Sequence, residues 1–247
     1  MIFQNAFFYT FIILIQYMKT LLFIFFLITI SQCSFAQETE GAIVDSLYKE
    51  DQFYAGISYN ILGKRPSNLS QNGFSLGFHL GFIKDIPLNK DRNIGIGIGL
   101  GYSANSFNQN LQITKNINGG YDYNLLEDVN TYSKNKFSEH LIELPIEFRW
   151  RTSTALKYDF WRIYTGVKIG YVVANTSKYI DATETFENSG ISSFNEFQYG
   201  LTLCFGYNTW NFYAYYALNP IFSNEVTIDG QTLDMNAIKI GLMFYIL

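Results

Sequence analysis

The chain has 247 residues, of which 15% are charged and 18% aromatic, with 19 glycines, 4 prolines and a formal net charge of −4 at pH 7. Because soluble domains carry about 25% charged residues, this composition favours many strands with limited contact with water. An acidic balance without a basic stripe or run argues against nucleic-acid binding.

The longest apolar segment is N-terminal. Residues 18–36, MKTLLFIFFLITISQCSFA, combine a basic Lys19 with an apolar stretch and small residues at the end, which is the pattern of a secretory signal peptide. We expect cleavage after Ala36. Loss of Lys19 and Cys33 changes 17 basic residues to 16 against 21 acidic ones, a net charge of −5, and leaves Cys204 without a disulfide partner.

The sequence before the predicted signal peptide is apolar and has no basic residue. We therefore expect translation to begin at Met18 and residues 1–17 to be an extension of the gene model. Residues 37–52 are predicted to form a short periplasmic segment. A lipoprotein signal at Cys33 is the alternative, although Gln32 stands where such signals have a small residue.

Eight segments of the mature chain alternate apolar residues with glycine or polar residues, as strands with two different faces do. In NIGIGIGLGY, residues 93–102, one face is Ile or Leu and the other is mostly glycine. No window after residue 40 has the roughly 18 apolar residues of a membrane helix, so any membrane crossing would be by strands. The predicted strands are 53–61, 74–84, 93–103, 140–150, 161–173, 196–207, 210–218 and 237–247.

The connections alternate in length, as in outer-membrane barrels with short periplasmic turns and long external loops. Residues 53–247 are therefore predicted to form an all-β, transmembrane, eight-stranded antiparallel up-and-down β-barrel of the outer-membrane type. A soluble lipocalin-like barrel is the alternative, but its apolar face would point inward. The short connections are 85–92, 151–160 and 208–209, and the long ones are 62–73, 104–139, 174–195 and 219–236.

Charged and aromatic residues separate onto the two faces. The ionisable residues of the polar face predict a lumen charge network, which we interpret as a plug of paired charges, with an ion pathway as the alternative. Aromatic residues at the strand ends of the apolar face predict two belts at the lipid headgroups. The network residues are His79, Glu143, Glu147, Arg149, Arg162, Lys168 and Lys239, and the belt residues are Trp150, Trp161 and Trp210 at one end and Tyr59, Tyr102 and Tyr171 at the other.

The last strand ends in KIGLMFYIL, which resembles the assembly signal of bacterial outer-membrane barrels. Lys239, Gly241, Phe244 and Ile246 match its polar, glycine and apolar positions, with Leu247 as one additional residue. We therefore expect the barrel assembly machinery to recognise this strand. A C-terminal edge strand without that role is the alternative.

Residues 64–103, KRPSNLSQNGFSLGFHLGFIKDIPLNKDRNIGIGIGLGYS, resemble the PorT family of outer-membrane proteins from the Bacteroidetes. The resemblance continues through HLIELPIEFRWR at 140–151 and the final strands. It implies an outer-membrane barrel associated with the type IX secretion system and gliding motility, needed to export C-terminally tagged cargo. Secretion-apparatus proteins and outer-membrane lipid would then be its partners.

No motif predicts a catalytic, cofactor or metal site. His79 is interpreted as a hydrogen-bonded lumen histidine, and His140 with Glu139, near the external rim, is the better enzymatic candidate. Loop 104–139 is predicted to be the partner surface. The alternatives to a secretion role are an OmpA-like structural or adhesion barrel and a lipid-modifying enzyme at His140.

Overall fold

The computed structural model describes residues 51–128, 131–152, 160–228 and 230–246. The predicted extension 1–17, the signal peptide 18–36 and the predicted periplasmic segment up to residue 50 therefore lie outside the described residues. Eight antiparallel strands close into a barrel, which confirms the predicted fold. They are β1 Gln52–Gly63, β2 Leu76–Pro87, β3 Ile94–Asn108, β6 Tyr132–Arg151, β7 Trp161–Asp181, β9 Phe197–Tyr207, β10 Trp210–Ala217 and β13 Asn236–Ile246. Shorter strands in the connections are β4 Leu111–Lys115, β5 Tyr121–Leu125, β8 Thr185–Ser189, β11 Thr227–Ile228 and β12 Gln231–Thr232.

Barrel closure joins the first strand to the last. β1 pairs with β13 in an unbroken antiparallel ladder from Phe53 opposite Ile246 to Gly63 opposite Asn236. The remaining order is β13, β10, β9, β7, β6, β3, β2 and back to β1. Closure satisfies the backbone N–H and C=O groups internally, which a sheet surrounded by hydrocarbon requires.

The two faces of the barrel wall differ as the sequence pattern predicts. Along β9, Phe197, Leu201 and Phe205 are exposed on the outside, while Gln198 and Thr202 are buried inside. This is the reverse of a lipocalin-like barrel, so that alternative is wrong. Among the described residues, no helix is long and apolar enough to cross a membrane.

Three strands are longer at the external end than predicted. β3 continues to Asn108, β6 begins at Tyr132 and β7 continues to Asp181, so much of the predicted loops 104–139 and 174–195 is strand. A register shift between β6 and β7 leaves Val173 and Ala174 both exposed, as in a β-bulge. β2 begins two residues later than predicted, at Leu76, and continues three residues further, to Pro87.

Above this rim the polarity of the wall inverts. On β6 the residues that face outward are apolar from Trp150 to Ile142 and then become Ser138 and Lys136, while Phe137 is buried inside. The external part of the strand therefore follows the ordinary rule of a protein in water, with apolar residues inside. This inversion explains why the alternating lipid-facing pattern ends before the strand does.

The long connections fold together over the external end of the barrel into what we call the cap. It contains the β4–β5 hairpin, the β11–β12 hairpin and β8, which pairs with the outer part of β7. Residues of all these connections join the buried apolar core, including Leu69, Leu111, Ile191, Ile221 and Leu233. The cap is thus a packed structure.

Candidate functional site

The lumen is filled by side chains, beginning with an ion-pair cluster near the periplasmic end. Arg151 holds Asp85 in a bidentate pair, with N–O distances of 2.8 and 2.6 Å. Arg149 donates to the same carboxylate at 3.1 Å and also donates to Gln52, and Glu147 Oε2 lies 3.6 Å from Arg149 Nε. Two arginines thus face two carboxylates, and all five side chains are buried.

A second cluster lies in the middle of the lumen. Lys168 Nζ is 3.0 Å from Glu143 Oε2 and donates to the hydroxyl of Tyr213 at 3.0 Å. Ser103 donates to the other carboxylate oxygen of Glu143 at 2.7 Å. The buried charges are therefore paired and further hydrogen-bonded, which is the condition under which a low-dielectric interior tolerates them.

His79 belongs to this middle cluster. Its Nε2 lies 3.0 Å from Ser58 Oγ, and its Nδ1 lies 4.0 Å from Glu143 Oε2. The side chain is 2% exposed. This geometry agrees with the interpretation of a hydrogen-bonded lumen histidine.

The glycine face of β3 makes room for large lumen side chains. A Cβ at Gly97 would lie 2.8 Å from both Arg149 Cδ and Ile83 Cγ2, and one at Gly101 would lie against the Tyr54 hydroxyl. Such distances are too short for any side chain. The glycines of NIGIGIGLGY therefore leave space in the lumen for the side chains of Arg149 and Tyr54.

Two of the predicted network residues contact rings instead of carboxylates. Arg162 Cζ lies 4.5 Å from the ring centre of Phe160 and 5.2 Å from that of Tyr245, and Lys239 Nζ lies 5.0 Å from that of Tyr215. Cation–π contacts of this kind stabilise a desolvated charge. Both residues face the lumen and are buried, and among the described residues Arg162 has these ring contacts without an ion pair to a carboxylate.

Sequence analysis missed further lumen residues. Asp85 and Arg151 were assigned to short connections, yet both lie inside strands and anchor the periplasmic cluster. Continuing each predicted strand by one residue would have found them. Glu139, which accepts a hydrogen bond from Gln198 at 2.6 Å, also faces the lumen.

Aromatic rings close the external end of the lumen. Phe137 packs against Phe107, Phe194 and Phe222 with ring-centre distances of 5.0, 5.6 and 5.5 Å. The four rings are at most 3% exposed. They come from two barrel strands and two long connections, so this cluster holds the cap on the barrel.

The β4–β5 hairpin is fixed to the cap through one face and exposes its tip. Tyr123 packs edge-on against Phe222 at 5.8 Å and hydrogen-bonds Ser193, and burial raises its pKa. At the tip, Ile117 is fully exposed. Two open grooves of about 580 and 610 Å³ run along β5, each bordered by Thr227.

Residues 181–186, within the predicted long connection 174–195, form the end of β7, an exposed turn and the start of β8. Asp181 Oδ1 accepts hydrogen bonds from the backbone N–H groups of Thr183 and Glu184 at 2.7 and 2.6 Å. These bonds favour the ionised carboxylate and lower the pKa of Asp181 to about 2. Lys178 and Glu187 form a second exposed contact at 2.8 Å.

The predicted belt residues lie on the outer surface. Trp150, Trp161 and Trp210 are exposed at strand ends beside the short connections, and Tyr59 and Tyr171 are exposed nearer the external end. Tyr102 is half-buried because His140 stacks on it. Tyr102 and Tyr171 do not end their strands, however, because β3 and β7 continue beyond the rim.

His140 and Glu139 do not form a site together. Successive strand residues face opposite sides, so Glu139 is buried in the lumen while His140 faces outward. His140 Nδ1 lies 2.6 Å from the Tyr102 hydroxyl. Among the described residues, no group of three His, Cys, Asp or Glu side chains is arranged to hold a metal ion.

The height of the outer apolar surface fits a membrane. From His140 to Trp150 along β6, ten residues at about 3.4 Å each, tilted by about 40°, span about 26 Å. This agrees with the apolar band of about 25 Å in outer-membrane barrels. Below His140 the outward residues of β6 are all apolar.

A match to a protein family gives the same class. A family model described as "Outer membrane protein beta-barrel domain" matches residues 35–223. The chain is also similar to two structures of Ail, the attachment invasion locus protein of Yersinia pestis, at 12% identity, with 81% of this chain and 100% of Ail covered. The TM-score is 0.37 for the complex with the heparin analogue sucrose octasulfate and 0.34 for the other structure. A mutant porin of Rh. blastica has a TM-score of 0.21 at 8% identity, with the same coverage.

No curated protein sequence matches the chain. The family match covers far more than half of the 247 residues and includes seven of the eight barrel strands. Together with the closed sheet and its apolar outer band, this match identifies the chain as a member of the outer-membrane β-barrel domain family, a multi-pass protein of the cell outer membrane.

Proposed function

We propose that this barrel is a non-enzymatic component of protein secretion that acts by presenting its external cap to other proteins. Its resemblance to the PorT family supports the type IX secretion system as the setting. The filled lumen is the observation that carries the proposal. It leaves the cap and the periplasmic turns as the surfaces through which the protein can act.

Side chains of the described residues obstruct the lumen at both ends, which argues against a path for cargo or ions. The Asp85, Arg149 and Arg151 cluster crosses its periplasmic end, and the aromatic cluster around Phe137 closes its external end. An eight-stranded barrel has an interior just wide enough for side chains. In planar bilayers the purified protein should give no steady conductance, and stable open channels would contradict the proposal.

The cap has the properties of a contact surface. It is held rigidly by buried rings, and it exposes the β4–β5 hairpin with Ile117 at its tip. Recognition residues are commonly carried by loops on a rigid scaffold. The hairpin is therefore the part of the cap that we expect secretion partners to contact.

The test removes the hairpin tip and keeps the packed base. Residues 115–121 are deleted, and Thr114 and Asp122, which face each other in the ladder, are joined by an Asn-Gly turn. This keeps Leu111 and Ile113 in the core and Tyr123 packed against it, with the loss of Tyr121 from its edge. We expect normal barrel levels in the outer membrane and a loss of secreted cargo in the comparison with the parent strain. Unimpaired secretion from the trimmed barrel would contradict the role of the hairpin.

The structural or adhesion barrel remains the second candidate, because an exposed cap also suits it. A deletion strain separates the two. Loss of the cargo secretome supports the secretion role, whereas an unchanged secretome with reduced envelope integrity or surface attachment supports the alternative.

The geometry of His140 supports the non-enzymatic part of the proposal. An acid–base pair needs both groups within hydrogen-bond reach, and Glu139 points into the lumen on the opposite face of β6. A His140→Ala strain should keep its lipid composition. An altered composition would favour a lipid-modifying enzyme.

We also propose that the barrel assembly machinery recognises β13. The strand carries Lys239, Gly241, Phe244 and Ile246 and forms the closing pair with β1. Substitution of Phe244 by a polar residue should lower the amount of folded barrel in the outer membrane. A conservative Phe244→Leu variant should assemble well.

A further inference from the structure

The outer face of β6 changes character at one level. Outward residues from Trp150 to Ile142 are apolar, His140 follows, and the next outward residues are Ser138, Lys136 and Lys134. The apolar part spans the hydrocarbon layer. The lysines lie on the same side of the wall, directly external to it.

Two lysines of this face lie opposite each other. Lys136 on β6 is the cross-strand partner of Lys178 on β7, and Lys134 lies two residues further along β6. Like charges directly opposite each other are destabilising in a sheet. Glu187 contacts Lys178 at 2.8 Å and also attracts Lys136, so one carboxylate faces the three ammonium groups of Lys134, Lys136 and Lys178.

The positive charges of the neighbouring lysines affect the pKa of Lys136. Partial burial, followed by the neighbouring charges of Lys134 and Lys178, lowers the pKa of Lys136. An anion bound at this position would remove the repulsion. The free protein therefore has a site with a physical preference for negative charge.

A concave notch adjoins the lysines and is lined in part by Lys134. It has a volume of about 400 Å³ and lies between the start of β6, the end of β3 and residues 72–74 that precede β2. Its lining combines polar and aromatic groups with a basic side chain. The residues include Asn72, Phe74, Asn108, Tyr132 and Lys134.

Phe74 adds an apolar contact at the edge of the notch. Its side chain is 81% exposed, immediately before β2. An exposed aromatic ring beside a basic site suits the boundary between headgroups and acyl chains.

The height of the lysines fits the headgroup layer. Lys136 is four residues beyond His140, or about 10 Å further from the hydrocarbon boundary at the usual rise and tilt. Headgroup regions add about 5–8 Å on each side of the hydrocarbon core, and a lysine side chain can extend its ammonium group toward them. The ammonium groups can therefore reach membrane phosphates from the side.

We infer that Lys134, Lys136 and Lys178, with the adjoining notch, form a binding site for the phosphate groups of a glycolipid in the outer leaflet of the membrane. The site lies on the continuation of the lipid-facing wall, which favours a membrane lipid over a soluble anion. Ammonium–phosphate hydrogen bonds would hold the headgroup, and Phe74 would contact the start of its acyl chains. This inference does not depend on the proposed secretion role.

The experiment uses the purified barrel in a neutral detergent and diphosphorylated lipid A as the probe, with bound lipid counted by native mass spectrometry. The Lys134→Gln/Lys136→Gln variant should bind at least about tenfold more weakly than the wild type, because two charge-assisted contacts are lost. Lys115→Gln, an exposed lysine on the cap hairpin, is the matched control and should bind as the wild type does. Heat-modifiable electrophoretic mobility shows that each barrel is folded.

Further arms separate phosphate recognition from other causes. Lys134→Arg/Lys136→Arg should keep most of the binding, and dephosphorylated lipid A should bind the wild type about as weakly as lipid A binds the glutamine variant. Equal binding by the wild type and the glutamine variant, or by both forms of lipid A, would overturn the inference. Binding of inorganic phosphate as tight as that of lipid A would also overturn it, because the site would then serve a soluble anion.

Discussion

Replacing Lys168 by methionine should destabilise the barrel strongly, because it leaves Glu143 as a buried charge without its cation. Methionine fills a similar space without an ammonium group. Glu143→Gln leaves Lys168 unpaired and should have a similar effect. The double variant Glu143→Gln/Lys168→Met should cost less than either single change, since it leaves no buried charge from this pair.

The expected magnitude follows from the 3.0 Å separation of Lys168 Nζ and Glu143 Oε2. With an effective dielectric constant of about 20, two unit charges at this distance attract by about 5–6 kcal/mol. Removing one partner of a buried pair costs about 3–5 kcal/mol, whereas replacing both by neutral groups is often close to neutral. We therefore expect each single change to lower the free energy of unfolding by about 3–5 kcal/mol.

The assay is reversible unfolding in urea of barrels folded into lipid vesicles, followed by tryptophan fluorescence. The matched control is Lys178→Gln, which removes an ammonium group 2.8 Å from Glu187 on the exposed outer surface. Exposed ion pairs are screened by water and contribute little. The control variant should therefore unfold almost as the wild type does.

A lumen filled with water would give a different result. Solvent would then screen the Glu143–Lys168 pair as it screens the Lys178–Glu187 pair. Single changes at Lys168 and Glu143 that cost less than about 1 kcal/mol, the range of exposed pairs, would refute the reasoning. They would also weaken the expectation of a closed, non-conducting barrel.

Three further predictions concern packing and pH. Gly97→Val should lower the free energy of unfolding by about 1–3 kcal/mol, because a Cβ there overlaps Ile83, and urea titration in vesicles measures this. Phe137→Ala should weaken cap packing by about 3–5 kcal/mol and make external loops sensitive to protease in vesicles, with the strands still protected. Because the pKa of Asp181 is lowered from 3.8 to about 2, its hydrogen bond from the Thr183 N–H should persist above pH 4 and be lost as the pH falls toward 2. The amide exchange rate of Thr183 should then rise more than the rates of other exposed amides over the same pH range.

The barrel could be predicted from sequence because lipid and lumen impose opposite demands on alternate residues. The outward Ile96 and Ile98 and the inward Gly95 and Gly97 are enough to assign both faces of β3. Charges on one face and tryptophans at the ends of the other then decide which face meets lipid. The assignment of the lipid-facing and lumen-facing sides thus rests on a strict two-residue alternation, which is typical of strands and not of loops.

The external extensions escaped prediction because the polarity rule reverses there. Ser106 and Lys136 face outward above the rim, where water replaces hydrocarbon, so their segments resemble polar loops. Ion-pair partners also depend on the register between strands. The alternation of residue types within one strand does not reveal that register. Asp85 meets Arg151 across 66 residues of sequence, and nothing local to either residue indicates that contact.

The β4–β5 hairpin did leave a signal that could have been used. Leu111 and Ile113 alternate before the turn, Tyr121 and Tyr123 alternate after it, and the Asn-Gly-Gly sequence at 118–120 is typical of a hairpin turn. Their joint packing into a cap could not be foreseen. It depends on Phe222 and Ser193 from distant connections.

The inversion of polarity along β6 gives the two parts of the molecule different thermodynamics. Opening the cap transfers the buried rings around Phe137 into water, which raises the heat capacity and makes this part sensitive to cold and to urea. The lipid-facing side chains below the rim stay in hydrocarbon during such an event and contribute nothing to it. We therefore expect urea to unfold the cap as a separate cooperative unit before the membrane-embedded part of the barrel.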